Sequence, residues 1–101
     1  MKFSKTQIKG AYLIELEKIE DERGFFARTW DSKIFKKFGL NNDLKQCSIS
    51  LTKTKGTIRG MHFQITPHEE SKLIRCVQGK VFDVIVDLRS KSKTFLQWDG
   101  L

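Results

Sequence analysis

No stretch of this 101-residue chain is apolar for more than four consecutive residues, and the longest, Ala11 to Ile14, runs straight into charge at Glu15. A bilayer-spanning helix needs about twenty apolar residues in a row, so no membrane partner is expected. The same shortness leaves no secretory apolar core near the N-terminus. Apolar residues come instead in brief groups, loosely alternating and broken by glycine and polar turns. That is the pattern of short strands with one wet face. Hydrophobic content of 39% with eight Phe, two Trp and one Tyr is globular rather than disordered. A chain of this size buries roughly 65% of its unfolded surface, enough for one modest core.

Strand signals follow one another along the chain. Ala11–Glu17 alternates loosely, and Asp21-Glu22-Arg23-Gly24 supplies a turn before the aromatic run Phe25 to Trp30. One helix is predicted at Asp31–Phe38: Asp31 or Ser32 caps it, Ile34, Phe35 and Phe38 share a face, and Gly39 suits the position after its end. Strands are then predicted at Gln46–Thr52, Thr57–Gln64, Lys72–Gln78 and Val81–Leu88, with Gly79-Lys80 as the turn of a hairpin. Arg89–Lys93 reads as a polar turn and Thr94–Trp98 as another strand. Several short strands with one early helix predict an all-β chain, an antiparallel β-sandwich or jelly roll. Six or seven strand signals fall short of the eight or so of a finished jelly roll, so the chain reads as cut short at its C-terminus.

Net charge is +7, spread evenly: residues 1–50 hold ten basic and seven acidic groups, residues 51–101 nine and five. The excess reads as a general affinity for anions. Basic charge with aromatics also fits nucleic-acid binding. Against that, the aromatics cluster at Phe25–Trp30 and Phe35–Phe38, where core packing explains them, so no nucleic-acid partner is expected. Cys47 and Cys76 make no CxxC pair and are too few for a structural zinc. Reduced thiols and a cytoplasmic location are the expectation.

Only two histidines are present. In a half-buried strand Gly60, His62 and Gln64 share one face, with Met61 and Phe63 on the other. His62 is therefore either a general base lining a cleft or an ordinary solvated strand histidine. His68, beside Pro67, belongs to an exposed loop. The two are six residues apart without an H-x-H or H-x-x-x-H spacing, so no metal site is expected. Gln46, Ser48 and Ser50 alternate onto one face, as a row of hydrogen-bonding groups or a plain wet edge. Lys72 opens a strand whose alternate positions are Ile74 and Cys76, and its ammonium is either desolvated or turned out to water. Asp83 and Asp87 sit inside an apolar run, where a carboxylate needs a partner.

The runs Asp21-Glu22-Arg23-Gly24-Phe25-Phe26 and Thr57-Ile58-Arg59-Gly60-Met61-His62-Phe63-Gln64 resemble the dTDP-4-dehydrorhamnose 3,5-epimerase family, cupin-fold enzymes of deoxysugar synthesis. The resemblance continues from Ser71 to Arg89 and from Lys93 to Gly100. It implies that residues 1–101 are the N-terminal part of a single cupin-like domain. It also implies epimerisation of dTDP-4-dehydro-6-deoxy-glucose at C3 and C5, with no cofactor, because the 4-keto group is the electron sink. His62 matches the family's base, which takes a proton alpha to that ketone, and Lys72 matches a lysine that stabilises the enolate. Arg23 and Arg59 match arginines that hold the nucleotide diphosphate or line the site. Gln46 and Ser48 fall on a substrate-contacting Gln-x-Asn pair. Phe26 lies in a strand that the family lends to its homodimer partner's site.

Three departures stand beside this. Ala27 and Arg28 occupy positions where a nucleotide-contacting glutamate is common, and Ser48 replaces the commoner asparagine. The family's catalytic tyrosine, a second histidine and the aspartate paired with the base lie in a C-terminal half outside these residues. Strict alternation also puts Arg59 and His62 on opposite faces, so the strand must bulge or twist near Gly60 for both to reach one cleft. Two other readings remain open: a 3-epimerase or 3,4-ketoisomerase on a related nucleotide sugar, and a non-catalytic cupin-like ligand-binding module. By itself the chain is expected to be inactive, and to dimerise, swap or aggregate through exposed edges, as light scattering and an epimerase assay will show.

Overall fold

The three regular sheets are all antiparallel hairpins of two strands, and one short helix stands between the second and the third. The computed structural model describes residues 1–101. Strand β1 (Lys2–Lys5) pairs with β2 (Tyr12–Glu15), β3 (Lys18–Asp21) with β4 (Gly24–Ala27), and, after helix α1 (Ser32–Lys37), β5 (Val84–Val86) with β6 (Trp98–Gly100). This is the expected all-β antiparallel class with one helix.

The helix obeys its local signals. Asp31 is the N-cap, its carboxylate accepting from the Lys33 and Ile34 amides at 3.0 and 3.1 Å. At the other end Gly39 N–H donates to the Lys36 carbonyl and Leu40 N–H to the Phe35 carbonyl, both at 3.0 Å. That pair of bonds is a Schellman motif, and it requires the left-handed backbone that Gly39 adopts at φ +69°. The face formed by Phe35 and Phe38 packs on the first hairpin: Phe3 stacks on Phe38 at 4.1 Å and meets Phe35 edge-on at 5.7 Å. Tyr12, diagonal to Phe3 across the β1–β2 ladder, closes the cluster against Phe38. Strand β1 carried no strand signal of its own; Phe3 and Lys5 are too few to show a period.

A second knot joins the two ends of the chain. Ile8, in the β1–β2 loop, is buried, and the neighbouring Gln7 N–H donates to Asp99 at 2.9 Å. Arg89 donates to the Lys9 carbonyl at 2.9 Å and grips Asp87 through Nε and a terminal nitrogen at 2.8 Å each. Asp87 is only 2% exposed and also accepts from the Arg89 amide and the Thr94 hydroxyl. Asp87 thus has the partner its apolar setting demanded. These donors, Arg89 first and then the Ser92 and Thr94 hydroxyls, hold its carboxyl far below the usual range.

Between Leu40 and Asp83 the sequence expectation needs correcting. Gln46–Thr52, Thr57–Gln64 and Lys72–Gln78 form no ladder, and the Gly79-Lys80 turn pairs nothing. Only two backbone–backbone bonds arise there, Thr57 to Thr54 and His68 to Ile65. The 28 such bonds of the whole chain compare with about 0.7 per residue in folded proteins, and the shortfall lies here. Alternation prepares a segment for pairing, but a ladder needs a second backbone at about 4.8 Å, and these residues meet none. Ile49 and Ile58 are accordingly 83% and 92% exposed. Covering one such side chain would contribute roughly 1.5–3 kcal/mol. The last strand is also shifted: Thr94–Gln97 folds into turns, and β6 begins at Trp98.

Two outcomes test this packing. Phe35→Ala should cost about 3 kcal/mol or more and Gly39→Ala about 1 kcal/mol in urea titrations followed by near-ultraviolet circular dichroism. Asp87 should also make the β5–β6 hairpin acid-sensitive. Its folded carboxyl titrates below the unfolded value of 3.8, so its stabilisation is full above that pH and is lost as pH falls below it. Amide protection factors of Val84–Val86 should drop from pH 6 to pH 2.5, whereas Asp87→Asn should be weak already at pH 6 and nearly flat.

Candidate active site

Five of the seven candidate residues lie on the unladdered stretch. Gln46, Ser48, Arg59, His62 and Lys72 are all exposed there. Arg59 does most to organise it: its guanidinium donates to the Leu51 carbonyl at 2.9 Å, tying the segment of Gln46 and Ser48 to that of His62. Arg75 fastens the following segment to the body through the Thr29 carbonyl at 3.0 Å. Lys72 is turned out to water, and its ammonium sits 3.0 Å from Glu70. Glu70 was not singled out in the sequence, because two positions apart on a strand is not a contact that pattern alone reveals. It must release the lysine before Lys72 can meet an anionic oxygen.

The other two candidates belong to the β3–β4 hairpin. Arg23 lies at its tip, where Asp21 holds it at 2.6 Å and also accepts its backbone amide at 2.9 Å. Hydrogen bonds from the Arg23 side chain lower the Asp21 carboxyl below its ordinary value. Phe26 pairs across the ladder with Ile19, both exposed, while Lys18 lies 4.4 Å over the Phe25 ring. No hydrogen bond or ion pair joins any two of the seven. Two surface hollows, one along Lys5–Tyr12 and one formed by Arg28, Trp30, Asp31, Ser32 and Lys33, include none of them. Arg28 has a local task, an ion pair at 3.1 Å with the capping Asp31.

Gly60 resolves the alternation problem. Its φ of +110° lies in the region that side chains avoid, and the strand alternation is broken there. Arg59 and His62 are therefore no longer bound to opposite faces. A Cβ at Gly60 would meet the His62 amide and Nδ1 at 3.6 Å, an ordinary contact, so the need for glycine is conformational.

Comparison with known proteins agrees with this layout. The family profile described as dTDP-4-dehydrorhamnose 3,5-epimerase matches residues 5–101. The chain belongs to that epimerase family. It is 41% identical to the dTDP-4-dehydrorhamnose 3,5-epimerase of Shigella flexneri over 102 residues, covering all of this chain and 56% of that protein. The enzyme of the same name from Methanothermobacter thermautotrophicus is also 41% identical, over 99% of this chain and 53% of its own length. The crystal structure of the Elizabethkingia anophelis epimerase superposes with a TM-score of 0.94 at 42% identity, over 100% of this chain and 55% of that one. The Bacillus anthracis epimerase, crystallised with TDP and PPi bound, gives 0.93 at 41%, over 99% and 57%. The chain thus spans about half the length of the curated relatives it matches, and the resemblance read from its motifs is borne out.

For this epimerase-family chain the backbone at Gly60 is testable directly. Gly60→Ala should impose about 1–3 kcal/mol of local strain and turn His62 relative to Arg59. Amide and imidazole resonances from Ile58 to Gln64 should shift, with those of His68 unchanged.

Proposed function

We propose that this chain carries the base-bearing half of a dTDP-4-dehydrorhamnose 3,5-epimerase. Its substrate would be dTDP-4-dehydro-6-deoxy-glucose. The observation that carries this is the family membership, set beside a chain path in which Gly60 frees His62 and Arg59 from opposite faces. The epimerase name borne by the relatives favours two-centre epimerisation over a 3-epimerase or a ketoisomerase.

The chemistry follows from the residues. The imidazole of His62 takes the proton alpha to the 4-keto group, and the electron pair moves onto the keto oxygen as an enolate. Lys72, released from Glu70, faces that developing negative charge. Reprotonation from the opposite side of the sugar inverts the centre and returns the electron pair to carbon. Guanidinium groups of Arg23 and Arg59 bind the diphosphate, and Gln46 and Ser48 hydrogen-bond the substrate. A chain of charge +7 suits such an anion, and the Bacillus anthracis relative was crystallised with TDP and PPi. The active assembly is a homodimer formed through the β3–β4 hairpin. That hairpin approaches no other strand or helix, and Phe25 and Phe26 are 60% and 64% exposed. A lone two-stranded hairpin is marginal in water and gains from a partner.

In a complete chain carrying these residues, His62→Ala should lower kcat by roughly 10²–10⁴-fold. Solvent deuterium should no longer enter the substrate at either carbon, read by NMR. Full exchange in that variant would reject His62 as the base. Lys72→Ala should lower kcat more than it raises KM, because enolate charge is absent from the ground state.

A further inference from the structure

The stretch from Asn41 to Phe82 combines two unmet requirements. Its backbone makes only two backbone–backbone hydrogen bonds, and its alternating segments expose Ile49, Leu51, Ile58, Phe63, Ile74 and Phe82. Unpaired amides and carbonyls beside bare apolar side chains describe the edge of a sheet awaiting strands. The path is nevertheless that of a finished protein. The Elizabethkingia anophelis enzyme superposes on all of this chain at a TM-score of 0.94 while possessing nearly as much chain again. The same proportion holds for the Shigella flexneri relative, whose matched portion is its N-terminal part.

We infer that residues 41–82 form an acceptor surface for a separate β-rich polypeptide equivalent to the C-terminal part of the epimerases, docked by strand addition. Main-chain bonds to the open segments supply affinity, and the alternate apolar side chains set the register. A second copy of this chain fits the surface poorly. The stretch carries seven basic and three acidic side chains, so two copies laid face to face would bring like charge together. A second copy would also bring the same unfilled positions rather than the strands that fill them. The inference rests on family membership and not on the chemistry proposed for His62. The acceptor surface is also distinct from the β3–β4 hairpin assigned to dimerisation.

The test mixes the 101-residue chain with the portion of the Shigella flexneri epimerase that follows its match, produced separately and refolded together with it. Hydrogen exchange should slow at least tenfold in Gln46–Thr52, Thr57–Gln64 and Lys72–Gln78, with β1 to β4 little changed. Ile49→Asp with Ile58→Asp should leave the circular dichroism of the free chain unaltered, since both side chains already face water. The same pair should weaken docking at least tenfold, whereas Glu22→Lys at the hairpin tip should not. Unchanged exchange on mixing, or equal docking by the double aspartate variant, would overturn the inference. Self-association of the chain alone that protects residues 41–82 would overturn it in favour of a second copy. Docking and protection without epimerase turnover would support it while counting against the proposed function.

Discussion

Asp87 is the contact on which the closure of this chain depends. Its buried carboxylate holds the Arg89 guanidinium, and that guanidinium reaches back eighty positions to the Lys9 carbonyl. A buried charge is tolerated only when its lone pairs are filled, and Arg89 with Thr94 fills them. The β1–β2 loop is thereby clasped to the β5–β6 hairpin, with Gln7 on Asp99 as a second fastening. What lies between is a long excursion whose two ends are fixed by this clasp and by the aromatic packing of α1 on β1–β2.

That excursion bears His62, Lys72 and most of the proposed substrate contacts. Its course is held by a few side-chain to main-chain bonds, Arg59 on Leu51 and Arg75 on Thr29, rather than by ladders. Catalytic geometry needs tighter support than this, because small displacements of a base are costly in rate. The physical consequence is that the backbone path is encoded in these residues, while the rigidity of the site must come from whatever completes the sheets. Lys72 illustrates the point, since its ammonium rests on an exposed Glu70.

Locally encoded features were legible without coordinates. The helix at Asp31–Phe38, its Asp31 cap and the Gly39 terminus depend on bonds spanning a few positions, so residue type at each position settles them. The same holds for the Asp21–Gly24 turn. The motif around Arg59-Gly60-Met61-His62 identified the family, and the need for a break at Gly60 followed from the spacing of Arg59 and His62 alone.

Pairing was not legible, because a strand is defined by a partner that its own sequence does not name. Alternation at Gln46–Thr52, Thr57–Gln64 and Lys72–Gln78 marked segments suited to ladders, and only the tertiary structure revealed that this chain supplies none for them. Likewise β1 became a strand because Phe3 meets Tyr12, Phe35 and Phe38, contacts that no window of four residues contains. Asp87 was marked by its apolar neighbours as needing a partner, yet which groups answer it was decided in space. The amino-acid sequence by itself determined caps, turns, charge and family, all set by short-range chemistry or by residue identity. Tertiary structure alone decided which backbones meet, because that depends on bringing together positions up to ninety residues apart.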